Sequence, residues 1–107
     1  MNTNYRIEYS PEAETDYEKF NKVQQRQIDN AVNKVAKNPL PQNEGGYGKP
    51  LGNKRGRNLT GCFKIVLMKL GIRIVYEIIR TETTMEIIVI AARADEEVYD
   101  MAAKRVK

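Results

Sequence analysis

The stretch GCFKIVLMKLGIRIVYEII, residues 61–79, decides the fold, because its two apolar runs meet at Leu70-Gly71 and predict a β-hairpin. A two-residue turn at this point would pair Lys69 with Ile72 and set the register of both strands. The register predicts one apolar face, which comprises Phe63, Ile65, Leu67, Ile74, Tyr76 and Ile78. We expect the helices of the protein to cover this face.

The opposite face of the predicted hairpin carries two long cations, Lys64 and Arg73. The same register places Lys64 opposite Glu77 and Arg73 opposite Met68, on a face that we expect the helices to leave open. A third strand that returns antiparallel would bring Arg93 close to the start of the second strand, beside Arg73. Three chain segments are therefore predicted to deliver cations to one sheet face.

Two interpretations of this cationic face stay open. An exposed sheet face is ordinarily polar, in which case Lys64 pairs with Glu77 and Tyr99 is a core aromatic of the last helix. Alternatively, the face binds an RNA backbone, since guanidinium groups match phosphate oxygens and stabilise the charge that develops on a phosphorane. In that interpretation Tyr99, six residues after Arg93, leans over the rim of the same face.

The other segments predict an α+β fold with the element order β-α-α-β-β-β-α. Alternation in TNYRIEYS indicates a first strand, Ser10-Pro11 indicates a helix start, and a second helix runs from about Val23 to Lys37. Strands are predicted at 59–69, 72–80 and 85–93, followed by a helix with Asp95 as its N-cap. We expect an antiparallel sheet with the N-terminal helical hairpin on one face, and a C-terminal helix.

The segment PLPQNEGGYGKPLGNKRGRN, residues 39–58, predicts a long loop, because it holds three prolines and five glycines and shows no periodicity. Its basic side chains are Lys49, Lys54, Arg55 and Arg57. They indicate either a polyanion-binding loop or a solvated tether.

Composition limits the possible chemistry. The chain has 107 residues, which fits one domain, and its net charge is +4. The excess positive charge lies in residues 31–107, whose 14 basic and 8 acidic side chains give +6, while residues 1–30 carry −2. One cysteine and no histidine exclude a Cys and His zinc site and histidine-based catalysis. Acid–base chemistry would have to use Tyr, Lys, Arg or carboxylates.

The apolar runs are too short for a membrane helix and no signal peptide is evident, so we expect a cytoplasmic protein.

Several of these motifs together resemble the RelE/ParE superfamily of type II toxin–antitoxin toxins and, within it, the RelE-like branch. The resemblance spans nearly the whole chain, and residues 1–107 would form one RelE-like toxin domain. It rests on YRIEYSPEAETDYEKF, the Asn38-Pro39 break, KPLGN, GCFKIVLMKLGIRIVYEI and AARADEEVYDMAAKR.

The resemblance implies a ribosome-dependent mRNA endonuclease that cleaves in the ribosomal A site, by attack of a ribose 2′-hydroxyl on the adjacent phosphate, without metal or another cofactor. By motif, Lys64 would contact the scissile phosphate, Arg73 would stabilise the transition state, Arg93 would assist the leaving group, and Tyr99 would orient or deprotonate the attacking hydroxyl. The chain departs from the pattern at Val66, where RelE toxins can carry a second lysine.

Implied partners are an antitoxin protein and the ribosome with its mRNA. The residues expected to contact ribosomal or messenger RNA are Lys49, Lys54, Arg55, Arg57, Lys69, Lys104 and Arg105, with Lys107 in the tail.

Two alternative functions stay open. A ParE-like toxin of the same fold would inhibit DNA gyrase without catalysis and would have no use for four converging site residues. A plain RNA-binding module would need aromatic platforms for base stacking, which the cationic face lacks apart from Tyr99.

Overall fold

The computed structural model describes residues 4–106, where a five-stranded sheet has helices on both faces. The strands are β1 (Arg6–Tyr9), β2 (Lys49–Lys54), β3 (Arg57–Leu67), β4 (Ile72–Ile79) and β5 (Thr84–Ala91), and the helices are α1 (Pro11–Glu18), α2 (Lys22–Ala36) and α3 (Asp95–Arg105). The sheet order is β1-β5-β4-β3-β2, and every neighbouring pair is antiparallel except β1 and β5, which are parallel. The predicted α+β class is therefore confirmed.

The β3–β4 hairpin has the predicted faces but a different register. Its turn is a 3₁₀ segment, Met68–Leu70, that ends at Gly71 with φ +66°, a left-handed conformation that glycine adopts without steric cost. Leu67 consequently pairs with Ile72, and the predicted two-residue turn is wrong. The register differs from the predicted one by two residues. An even shift leaves every side chain on its predicted face.

Lys64 therefore lies opposite Val75, and the predicted Lys64–Glu77 pair does not form, because Cys62 takes the place opposite Glu77.

The predicted long loop at residues 39–58 is wrong in part, because it contains strand β2. This strand pairs antiparallel with β3, with a register shift between Pro50 and Gly52. Gly52 has φ +62°, and proline lacks the N–H that a ladder needs, so both residues suit an irregular edge strand. Because Pro50 and Gly52 also interrupt the alternation typical of a strand, the sequence pattern did not predict β2.

Helices α1 and α2 begin at side-chain caps. The Ser10 hydroxyl accepts from the Ala13 N–H at 3.1 Å, and Asn21 forms a reciprocal capping box with Gln24. Both helices pack on the predicted apolar face, which forms a core with Ala13, Ile28, Val32, Val35, Phe63, Ile74, Tyr76 and Ile87.

Helix α3 covers the other face of the sheet, so the prediction that helices leave this face open is wrong. A second apolar cluster lies beneath the helix and comprises Leu59, Cys62, Val75, Val89, Val98, Tyr99 and Ala102. The physical reason is that the cations occupy only part of this face, while Cys62, Val75 and Val89 are apolar and need cover.

A nearly buried ion pair holds α1 and α3 together at the sheet edge. β1 ends opposite Ile87, which leaves the last residues of β5 without a neighbouring strand on that side. The Asp16 carboxylate accepts from the Ile90 N–H at 3.0 Å and from Arg105 Nη1 at 2.7 Å, while Arg105 also donates to the Ile88 carbonyl at 2.8 Å. The pair thus satisfies backbone groups of β5 that lie beyond the end of β1.

Replacing Asp16 by Asn should lower the free energy of unfolding by about 3 kcal/mol, because the Arg105 cation, with its side chain only 18% exposed, loses its counter-charge. Urea denaturation would measure the change. As a matched control, Glu44→Gln removes the carboxylate of an exposed pair with Arg80 and should leave stability close to that of the wild type. Equal urea midpoints for Asp16→Asn and Glu44→Gln would contradict the prediction.

Candidate active site

Four side chains form a polar cluster where β3 and β4 meet the first turns of α3. The Lys64 ammonium donates to the Tyr99 hydroxyl at 3.1 Å and lies 3.9 Å from a carboxylate oxygen of Asp95. The Nε–H of Arg73 donates to the other carboxylate oxygen of Asp95. The polar cluster therefore comprises Lys64, Arg73, Asp95 and Tyr99, and Asp95 is the residue that links its two cations.

Regular secondary structure accounts for the polar cluster. Lys64 and Arg73 stand on the α3 face of neighbouring strands, where Arg73 is opposite Val66. Asp95 and Tyr99 are four residues apart in α3, a spacing that puts both on one side of the helix. Asp95 is the first residue of the helix, where the dipole favours a negative charge.

Tyr99 is both a core aromatic and a neighbour of the cations, the two positions that the sequence left open. The residue is only 6% exposed, and its ring belongs to the apolar cluster under α3, as expected for a core aromatic. Its hydroxyl nevertheless reaches Lys64, and two ammonium groups lie near the ring, those of Lys64 and Lys54 at 5.8 and 6.0 Å from its centroid. Packing thus holds the ring while the hydroxyl stays among cations.

Arg93 joins the polar cluster through its backbone and not through its guanidinium. Its carbonyl accepts from Arg73 Nη1 at 2.8 Å, which bears out the expectation that this segment lies beside Arg73. The Arg93 side chain is 61% exposed and lies 3.8 Å from Glu97, one turn into α3. Arg93 follows the end of β5, so the alternation of the strand no longer directs its side chain.

Asp95 is the member of the polar cluster that the sequence did not assign to the site. It was expected to cap α3, but Ala94 occupies the N-cap position and no side chain caps the helix there. The carboxylate bonds Arg73 instead. The available signal was the four-residue spacing to Tyr99, which places an acid beside the predicted cations.

Two of the predicted RNA-binding arginines are held by carboxylates of α3. Arg57 donates to Asp100 at 2.6 Å and to Glu96 at 3.0 Å, and its side chain is 20% exposed. Arg55 lies 3.1 Å from Glu96. These pairs tie the β2–β3 turn to α3.

The remaining predicted cations are distributed over several surfaces. Lys49, Lys69 and Lys104 are exposed, Lys54 lies beside Tyr99, and Arg105 belongs to the ion pair with Asp16. Lys107 lies outside the described residues.

Cys62 lies under α3, and its burial raises the pKa of the thiol to about 11, with a smaller contribution from Glu77. The thiol is therefore protonated at neutral pH and is not a nucleophile. Residues 4–106 contain no group of three or more cysteines and carboxylates arranged to hold a metal ion. Within the same residues, no helix has the length and apolarity that a membrane crossing requires.

The chain is similar to proteins that are named as RelE or RelE-like toxins. No protein-family model matches the sequence. A protein of Escherichia coli named as a RelE-like toxin is 24% identical over 104 residues, which cover 96% of this chain and 98% of that protein.

Solved structures of RelE toxins have the same fold. An E. coli RelE double mutant in the free state superposes with a TM-score of 0.74 at 23% identity, with both chains covered completely. The same mutant in complex with an antitoxin RelBc peptide gives 0.69 at 22% identity, with 97% of this chain and 99% of that one covered. A RelBE toxin–antitoxin complex from Mycobacterium tuberculosis gives 0.66 at 23% identity, covering 84% and 99%. The predicted resemblance is thereby confirmed.

Cys62 should resist alkylation while the protein is folded, because the thiol is buried and its pKa is about 11. Iodoacetamide at pH 8 should label the native protein far more slowly than the urea-unfolded protein, as measured by intact-mass spectrometry. Rapid labelling of the native protein without loss of structure would contradict the burial.

Proposed function

We propose, on the premise that this chain shares the fold of the RelE toxins, that it is the toxin of a type II toxin–antitoxin pair and cleaves mRNA in the ribosomal A site. The observation that carries the proposal is the polar cluster. It brings a lysine, an arginine and a tyrosine hydroxyl together in a chain without histidine. Those are groups that can bind a phosphate and handle the proton of a ribose hydroxyl.

The proposed reaction is transfer within the RNA backbone. The 2′-oxygen attacks the adjacent phosphorus, an O2′–P bond forms and the P–O5′ bond breaks, leaving a 2′,3′-cyclic phosphate and a 5′-hydroxyl. The 2′-hydroxyl loses its proton and the leaving 5′-oxygen gains one. Negative charge develops on the phosphorane oxygens in between, and fixed cations stabilise such charge when they are positioned beforehand.

Each group of the polar cluster has a role in this reaction. Lys64 and Arg73 bind the scissile phosphate and stabilise the phosphorane. The Tyr99 hydroxyl, which the Lys64 ammonium already holds at 3.1 Å, orients or deprotonates the attacking 2′-hydroxyl. Arg93 assists the leaving oxygen, and to do so its guanidinium must leave Glu97 and turn toward the polar cluster.

Asp95 competes with the substrate for the same donors. In the free protein its carboxylate takes the Nε–H of Arg73 and lies 3.9 Å from the Lys64 ammonium. The negative charge of Asp95 repels a phosphate that approaches the same two cations, so we expect the carboxylate to turn away when RNA binds. The carboxylate side chain is 44% exposed, which leaves it room to turn toward solvent.

The remaining cations support proposed contacts with the ribosome and with an antitoxin. Exposed Lys49, Lys69 and Lys104 suit contacts with ribosomal or messenger RNA, while Arg57 and Arg105 are engaged with carboxylates of the fold. RelE structures include complexes with antitoxin, and we propose an antitoxin partner for this chain too. Acidic or apolar segments of that partner would suit its basic surface.

The Asp95→Asn variant should bind single-stranded RNA more tightly than the wild type at low salt, because Lys64 and Arg73 lose their shared counter-charge. Fluorescence anisotropy with an oligoribonucleotide blocked by 2′-O-methyl groups would measure this. The slope of log affinity against log salt should steepen by about 0.7 for each additional phosphate that the variant neutralises.

The matched control for Asp95→Asn is Glu12→Gln, which removes one carboxylate from the first turn of α1. Both variants change the net charge equally, so any effect of total charge cancels. Equal affinities and equal salt slopes for the two variants would contradict the proposed competition.

The Tyr99→Phe variant should cleave mRNA on programmed ribosomes about 100-fold more slowly, because it lacks the hydroxyl that contacts the 2′-oxygen while the packed ring remains. Primer extension would measure the cuts. Tyr17→Phe, which removes a hydroxyl bonded to Asp29 at 2.9 Å, is the control and should cleave normally. Wild-type protein that leaves mRNA intact but inhibits gyrase supercoiling would overturn the proposal in favour of a ParE-like toxin.

A further inference from the structure

A basic cleft lies beside the polar cluster, between the end of α2, the segment before β2 and the edge of β3. Pairing between β2 and β3 ends at Lys49 opposite Lys64, so the following residues of β3 have no partner strand on that side. The space left there is a cleft of about 370 Å³, within the range of small-ligand sites. Its polar lining consists of Lys34, Gln42, Tyr47, Lys49 and Lys64.

The charge of the basic cleft suits a phosphate. Three lysines line it, and none of the described residues in its wall is acidic. Lys49 and Lys64 stand directly opposite one another on neighbouring strands, an arrangement in which like charges repel. An anion bound beside Lys49 and Lys64 would offset that repulsion.

The basic cleft also presents an aromatic ring at its mouth. Tyr47 is 48% exposed, and the Lys34 ammonium lies 5.7 Å from its ring centroid. An exposed ring next to lysines is the combination by which proteins hold single-stranded nucleic acid, with bases on the ring and phosphates on the cations. An acidic peptide would use the lysines and leave the ring without a function, so the aromatic favours RNA.

Lys64 belongs to both the basic cleft and the polar cluster, where its ammonium bonds Tyr99 at 3.1 Å. Lys64 stands at the edge of β3 that borders the cleft, so an RNA chain with a phosphate at Lys64 would pass over this strand edge to reach the basic cleft. We propose that this cleft binds the nucleotide next to the scissile phosphate. Its base stacks on Tyr47, its phosphate lies between Lys34 and Lys49, and the Gln42 amide contacts the base edge. The inference rests on the proposed function for the identity of the neighbouring phosphate.

Binding of uncleavable RNA by the toxin alone tests the basic cleft without any cleavage. A 2′-O-methylated single strand should bind the Tyr47→Ala variant about tenfold more weakly than the wild type, while Tyr47→Phe keeps the ring and should bind normally. Lys34→Gln should reduce the salt slope by about 0.7. Lys22→Gln removes the same charge from the other end of α2 and should leave both the affinity and the slope unchanged.

A second probe separates stacking from plain electrostatics. An oligonucleotide with an abasic position should lose affinity for the wild type and none for Tyr47→Ala. Equal binding of the intact and abasic strands by the wild type would overturn the inference. So would an acidic peptide that displaces the labelled strand as well as unlabelled RNA does, or no binding of the strand at all. Tyr47-dependent binding by a protein that cuts no mRNA would leave the basic cleft standing and remove only the proposed function.

Discussion

The packing of α3 across the second face of the sheet is the constraint on which the candidate site depends. Val98, Tyr99 and Ala102 anchor this helix in an apolar cluster, and ion pairs hold it at both ends, through Arg57 near its start and Arg105 at its end. Because Asp95 and Tyr99 belong to this helix, apolar burial fixes their distances from Lys64 and Arg73. A site held between a helix and two strands is more rigid than one built on loops.

The charges of the polar cluster then determine how its side chains pair in the free protein. Lys64 and Arg73 would repel each other, and the Asp95 carboxylate between them offsets that repulsion while keeping both side chains partly buried. Lys64 also extends the positive surface toward Tyr47 and Lys49. Lys64 thus connects the polar cluster, where Asp95 offsets the positive charge, to the basic cleft, whose described lining contains no carboxylate.

Much of this arrangement was predictable from the sequence, for identifiable reasons. Alternation in the β3–β4 hairpin assigned Lys64 and Arg73 to one face, and a register error of two residues did not disturb that face. Strand β2 escaped prediction because Pro50 and Gly52 interrupt its pattern. The docking of α3 and the role of Asp95 were also missed, since a short sequence pattern does not say which face of a sheet a distant helix covers.

Because α3 follows all five strands in the chain, its site residues are synthesised after those of β3 and β4. A nascent chain that has been synthesised only through β5 carries Lys64 and Arg73 but lacks the carboxylate and the hydroxyl that complete the polar cluster. β1 and β5 must also pair across a long separation, since Arg6 aligns with Thr84, and such non-local pairing is slow to form. The unfinished chain therefore holds an incomplete site while the ribosome that makes it is still translating.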